Sequence, residues 1–206
     1  MTSLNLHTFD AVQARKEWQE YQLLLQTKPE LKEREDVLPF FRERHHLSVL
    51  IGYYLPSVLK PNCFGHEFSI FGDFKADLIV GDSINRHYLL IEFEDGKSNS
   101  IFTRTRRTTS EWSSRLEKAY SQLTDWLWQL DGMRNTPQFE TAFKKSDAEF
   151  QCVIVIGKNT NLTEDEQKRL RWRENNTVIN SKKFQIISFE QLLEDFDFWL
   201  KFHHHV

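Results

Sequence analysis

Apolar positions at the start of the chain follow a helical period. They recur at helical spacing over residues 9–27 and again over residues 37–54, so the sequence predicts two N-terminal helices. The segment 28–36 between them is charged and contains a proline. We therefore predict a helical arm, residues 1–35, followed by a second domain, residues 36–206.

Further along the chain the pattern changes to short apolar stretches separated by turn-forming residues. The turn at residues 81–85 predicts that two of these stretches pair as a β-hairpin. The stretch 149–157 is almost entirely apolar, which is typical of a strand buried on both faces. The order of elements predicts an α/β domain with a central mixed β-sheet flanked by helices. The predicted strands are 66–72, 76–81, 86–94, 149–157 and 184–188, and the predicted later helices are 109–131, 163–175 and 189–202.

Composition narrows the class of protein without indicating a partner. The 206 residues are 39% hydrophobic and 28% charged, which is ordinary for a globular protein, and the net charge of −3 neither supports nor excludes nucleic-acid binding. No apolar run is long enough to cross a bilayer and the first residues do not resemble a signal peptide. We therefore predict a cytoplasmic location and no membrane partner. Cys63 and Cys152 are the only cysteines, so neither a disulfide framework nor a cysteine-based zinc site is indicated.

Three carboxylates are predicted to converge at the hairpin. Asp77 lies in one predicted strand, while Glu92 and Glu94 lie two residues apart in the next and therefore point to the same face. Carboxylates this close repel each other unless a cation compensates them, and hard oxygen ligands suit Mg²⁺ or Mn²⁺. Such an ion would orient a water molecule for attack on a phosphodiester. In the alternative interpretation, the two glutamates lie on a solvent-facing edge of the strand.

Several stretches resemble a known nuclease family in their order and spacing. Residues 76–80 (ADLIV) and 89–94 (LLIEFE) resemble the catalytic hairpin of PD-(D/E)xK nucleases, which implies a restriction-endonuclease-like core. The resemblance covers residues 36–200 and is to the Shedu anti-phage defence family in particular. The stretches that carry this closer resemblance are 101–103 (IFT), 119–126 (AYSQLTDW), 153–158 (VIVIGK) and 184–189 (FQIISF).

The resemblance implies roles for individual residues. Asp77 and Glu92 would be metal ligands, and Glu94 stands where the commoner E-x-K nucleases have lysine. Glu94 would then act as a further metal ligand or as a general base. Gln122, on the predicted helix behind the sheet, would reach towards the site. Glu43 would be an upstream helical carboxylate and metal ligand, although a glutamate between two arginines also suits a solvated ion pair.

Positive charge near the carboxylates has several candidate sources. Lys75 precedes Asp77 by two residues and shares its strand face, so we predict that it substitutes for the missing lysine. The alternative for Lys75 is a solvent-exposed lysine at a strand end, and Lys97 is out of phase with Glu92. A group of arginines follows the acidic strand and is predicted to contact DNA phosphates, or alternatively to be solubilising surface. This group is Arg104, Arg106, Arg107 and Arg115.

These features predict a metal-dependent DNA endonuclease that hydrolyses phosphodiester bonds with Mg²⁺ or Mn²⁺ in anti-phage defence. Cutting of both DNA strands favours a homo-oligomer. Two other interpretations stay open. A nuclease-like module that binds nucleic acid or a partner protein without cutting agrees with the missing lysine. A self-assembling structural protein agrees with the aromatic-rich helices.

Overall fold

A mixed six-stranded sheet forms the centre of the protein. The computed structural model describes residues 4–206. Its strands are β1 (Asn5–Leu6), β2 (Cys63–Ser69), β3 (Lys75–Asp82), β4 (His87–Phe93), β5 (Phe102–Thr103), β6 (Glu111–Trp112), β7 (Glu149–Val155), β8 (Val178–Ile179), β9 (Lys182–Lys183) and β10 (Gln185–Ile187). The main sheet has the order β1-β2-β3-β4-β7-β10, antiparallel from β1 to β4 and parallel from β4 to β10. The predicted α/β class with a central mixed sheet is confirmed.

Helices cover both faces of this sheet. They are α1 (Ala11–Thr27), α2 (Leu38–Glu43), α3 (His45–Leu50), α4 (Ser114–Met133), α5 (Pro137–Phe143), α6 (Glu164–Asn176) and α7 (Phe189–His204). Helices α4, α5 and α6 pack on one face, and α1, α2, α3 and α7 pack on the other. No helix within residues 4–206 has the length and apolar character needed to span a membrane.

Strand β4 shows how the sheet divides its side chains between these two layers. Tyr88 and Leu90 pack in the layer of α4, whereas Leu89 and Ile91 pack in the layer of α7. Each such buried aliphatic side chain stabilises the fold by roughly 1.5–3 kcal/mol. The same alternation directs Glu92 towards α4. The acidic residue is therefore carried on a strand that is anchored on both faces.

The prediction of one continuous helix over residues 37–54 is wrong, because the structure has several short helical segments there. The chain begins to coil earlier, as a π-helical turn at Glu33–Val37, and Pro39 has no N–H with which to continue α-helical hydrogen bonding across this point. Arg44 then interrupts the helix with φ −116° and ψ 77°. Its guanidinium lies 2.7 Å from Glu20 of α1, a long-range contact that the local sequence does not indicate.

Residues 4–35 pack into the same structure as the rest of the described chain. Trp18 of α1 donates a hydrogen bond of 3.0 Å to the Leu193 carbonyl, and the Tyr21 hydroxyl donates one of 3.1 Å to the Phe189 carbonyl. Strand β1 also joins the edge of the main sheet. The division at residue 35 stays a prediction, but α1 is attached to α7 along its length rather than projecting as a free arm.

Candidate functional site

The β3–β4 hairpin places two carboxyl groups side by side. Because Leu78 pairs with Ile91, Asp77 lies opposite Glu92 in the antiparallel register. The Asp77 carboxylate accepts a hydrogen bond of 2.8 Å from the Phe93 N–H, which fixes it against the neighbouring strand. The structure thus brings together the pair that the hairpin pattern predicts.

The two glutamates of β4 and its continuation are buried. Glu92 is 7% exposed and Glu94 is 4% exposed, which contradicts the alternative of a solvent-facing strand edge. Gln122 of α4 lines the same cavity as Glu92 and partly offsets the rise in the pKa of its carboxyl group. The helix behind the sheet therefore reaches the site, as the sequence predicts.

These side chains line one cavity of about 530 Å³ that opens to solvent. Three parts of the chain form its walls: strands β3 and β4, the first turns of α4, and the π-helical turn before α2. The lining residues are Glu33, Arg34, Lys75, Asp77, Glu92, Glu94, Ser114, Arg115, Lys118 and Gln122.

Three carboxyl groups of this cavity, those of Asp77, Glu92 and Glu94, have raised pKa values. Burial is the main cause for Asp77, whose pKa rises to about 7, and the charges of Glu33 and Glu94 add to it. Burial followed by repulsion from Asp77 raises the pKa of Glu92 to about 9. Burial and mutual repulsion therefore make ionisation of these carboxyl groups unfavourable. Such a cavity favours protons or an external cation.

One cation of α4 lies among the carboxylates. Arg115 Nη1 is 2.6 Å from Glu94 Oε2 and 3.7 Å from Glu33 Oε2, and its Nη2 is 3.2 Å from Asp95 Oδ2. Burial raises the pKa of Glu94, and the contact with Arg115 opposes that rise. About 40% of the Arg115 side chain stays exposed, so the guanidinium faces both the acidic cluster and solvent.

The structure does not bring Glu43 to this cluster. Its side chain is 75% exposed and lies 3.1 Å from Arg44, the ion pair given above as its alternative role. Glu33 lines the cavity instead. No sequence pattern indicated Glu33, because it lies in the charged segment predicted to be a boundary and its turn is π-helical rather than α-helical.

The remaining predicted cations fall into two places. Lys75, at the first residue of β3, lines the carboxylate cavity and is exposed, as is Lys118 of α4. Arg104 and Arg107 line a separate cavity of about 420 Å³, and Arg107 pairs with Glu111 at 3.2 Å. Arg106 is exposed on the same loop. Of the predicted phosphate contacts, Arg115 alone lines the carboxylate cavity within the described residues.

The donor chemistry of the cavity fits a hard divalent cation. Within residues 4–206, no set of three or more His, Cys, Asp or Glu side chains is already arranged to hold a metal ion. Mg²⁺, however, commonly takes only one or two protein carboxylates and completes its shell with water and substrate phosphate. The facing pair Asp77 and Glu92 meets that smaller requirement.

The fold and cavity define an α/β protein with an acidic hairpin site. The family model described as "Shedu protein SduA, C-terminal" matches residues 30–193, most of the chain. The chain belongs to the Shedu family, and this membership implies a role in anti-phage defence. No curated protein matches the chain. The predicted family is confirmed.

Proposed function

We propose that this chain is a metal-dependent DNA endonuclease of the PD-(D/E)xK type that acts in anti-phage defence. The observation that supports this proposal is the open cavity in which Asp77, Glu92 and Glu94 lie together with raised pKa values beside Gln122. We also propose a cytoplasmic location. We further propose a homo-oligomer, in which two sites could cut the two DNA strands together.

The side chains of the cavity suit distinct roles in phosphodiester hydrolysis. Mg²⁺ or Mn²⁺ held by Asp77 and Glu92 would stabilise charge on the phosphate and activate a water molecule. Gln122, which lines the same cavity, would orient the Glu92 carboxyl group. Glu94, whose pKa is raised by burial, accepts the proton of the attacking water as a general base. The exposed Lys75 at the entrance contacts the phosphate.

The direct test is a cleavage assay on supercoiled, linear and single-stranded DNA with Mg²⁺, with Mn²⁺ and with a chelator. We expect nicked or shortened products with either metal and none with the chelator. Products that persist in the chelator would contradict the metal requirement.

A second candidate is a nuclease-fold module that binds nucleic acid or a partner protein without cutting. Arg115 supports it, because its guanidinium already compensates part of the acidic charge through Glu94. This candidate predicts DNA binding that is unchanged by the chelator and by loss of the Glu92 charge. Retained binding with no cleavage in the assay above would favour it.

We predict that Lys75→Ala lowers the rate of cleavage about 10–100-fold, because a cation beside the phosphate stabilises the charge that develops there. The comparison is Lys118→Ala, an exposed lysine that lines the same cavity from α4. Single-turnover rates of both variants at saturating DNA are the measurement. Equal losses in both variants, restored by low salt, would show that Lys75 only attracts DNA.

We predict that the loop arginines contribute to DNA affinity rather than to the chemical step. Replacing Arg104, Arg106 and Arg107 with alanine should flatten the dependence of binding on salt, by a slope of about 0.9 for each phosphate that the protein no longer neutralises. Titration of duplex DNA by fluorescence anisotropy, at salt concentrations from about 50 to about 200 mM, measures this slope. An unchanged slope would assign the loop to solubilising surface.

A further inference from the structure

Asp95, directly after Glu94, is buried and contacts several separate parts of the chain. It is 5% exposed. Its Oδ1 accepts a hydrogen bond of 2.8 Å from the Glu33 N–H, and its Oδ2 lies 2.5 Å from Lys97 Nζ and 3.2 Å from Arg115 Nη2. Its backbone carbonyl accepts a hydrogen bond of 3.0 Å from Gly157. One residue thus joins the turn that carries Glu33, the first turns of α4 and the end of the sheet.

Asp95 caps the turn that carries Glu33 at its first residue. The π-helical turn Glu33–Val37 has no side-chain cap from its own N-cap residue, Lys32. The carboxylate of Asp95, 62 positions away, accepts the N–H of the first residue instead. Two backbone hydrogen bonds between Leu31 and Gly96, of 3.2 and 2.9 Å, hold the preceding residues beside the same loop.

We propose that Asp95 is a positioning residue of the carboxylate site. Its Oδ1 holds the backbone of Glu33, and its Oδ2 holds the guanidinium of Arg115, so that both side chains face the cavity. Asp95 itself does not line the cavity within the described residues. Partners of this kind orient the groups that contact a metal or substrate, and their loss commonly costs about 10–100-fold in metal affinity or activity.

The two oxygens of Asp95 make separable contributions. Asparagine keeps an oxygen that can accept the Glu33 N–H but removes the charge that holds Arg115 and Lys97. Alanine removes both. A matched control exists in the same turn, because Asp36 also accepts a backbone N–H, that of Lys32 at 2.8 Å, and also pairs with a lysine, Lys28. Asp36 is not part of the cavity lining.

The test compares Asp95→Asn and Asp95→Ala with Asp36→Asn and Asp36→Ala in the full chain. In Mn²⁺-dependent DNA cleavage, a readout that rests on the function proposed above, we expect kcat to fall about tenfold in Asp95→Asn and about 100-fold in Asp95→Ala. KM for DNA should change less than about threefold, since positioning acts on the reacting groups and not on distant phosphate contacts. Both Asp36 variants should keep kcat within about threefold of the unmodified chain.

A second readout separates this inference from the proposed function. Calorimetric titration with Mn²⁺ alone should give an affinity weakened about tenfold by Asp95→Ala but not by Asp36→Ala. If the unmodified chain binds Mn²⁺ in this Asp95-dependent way but does not cleave DNA, the endonuclease proposal fails while the positioning role stands. Equal effects of the Asp95 and Asp36 variants would overturn the positioning role, as would a chain that neither binds Mn²⁺ nor cleaves. If Asp95→Ala does not fold, the same measurements on Asp95→Asn and Asp36→Asn decide between these outcomes.

Discussion

Replacing Glu92 with glutamine should lower metal-dependent DNA cleavage by at least about 10³-fold, equivalent to about 4 kcal/mol of transition-state stabilisation. Glu92 lies opposite Asp77 and is almost fully buried, so no water-exposed carboxylate can replace its oxygen at that point. Glutamine has nearly the same shape, and its side-chain amide can still donate and accept hydrogen bonds within the cavity. The variant therefore removes one charge from the candidate metal-binding pair and leaves the packing of β4 intact.

The control for this prediction is Glu43→Gln, which neutralises a glutamate outside the cavity. Since the Glu43 side chain is 75% exposed, this variant should cleave DNA at the rate of the unmodified chain. Rates of supercoiled plasmid nicking over a range of Mg²⁺ and Mn²⁺ concentrations measure both variants. A strong loss in Glu43→Gln would restore the upstream role that the sequence suggested for it. Retained cleavage in Glu92→Gln would remove Glu92 from the chemistry.

The hairpin and its carboxylates could be predicted from the sequence because both depend on local patterns. Strand side chains alternate with a period of two, so Glu92 and Glu94 had to share a face once the strand was recognised. A tight turn at residues 81–85 then fixed Asp77 beside Glu92. Gln122 followed from the family resemblance, which placed it on a helix behind the sheet.

The rest of the site could not be predicted because it depends on contacts between distant parts of the chain. The hydrogen bond from Glu33 to Asp95 joins residues 62 positions apart, and the turn that carries Glu33 has no recognisable sequence period. The family resemblance also suggested Glu43 as a metal ligand, but its exposed side chain pairs with Arg44. Arg115 lies beside the carboxylates as expected, and the charge pattern did not indicate its contact with Glu94.

In the absence of metal, the stability of the protein should fall as pH rises, and Glu92 should account for a measurable part of the fall. Burial and then repulsion from Asp77 raise the pKa of Glu92 to about 9 in the folded protein, compared with about 4.3 in an unfolded chain. Between these values the folded state binds the extra proton, so each unit of rising pH costs up to about 1.4 kcal/mol. The Glu92→Gln variant has no titrating group at this position, so it should lack the contribution of Glu92 to the pH dependence of stability.

As pH rises from about 6 to about 8, we therefore expect the free energy of unfolding of Glu92→Gln to increase by about 1–3 kcal/mol relative to that of the unmodified chain. Urea unfolding in the presence of a chelator gives the free energy of unfolding of both proteins. The difference between the two values removes the contributions of the histidines and buried cysteines, which titrate in both. Saturating Mn²⁺ should reverse the ranking, because an ion that binds only the folded state stabilises it by about 2.7 kcal/mol at about 100 times its Kd. If the free energies of unfolding of the two proteins change in parallel with pH, the pKa of Glu92 is not raised in the folded protein. A Mn²⁺ effect equal in both would show that Glu92 is not a ligand.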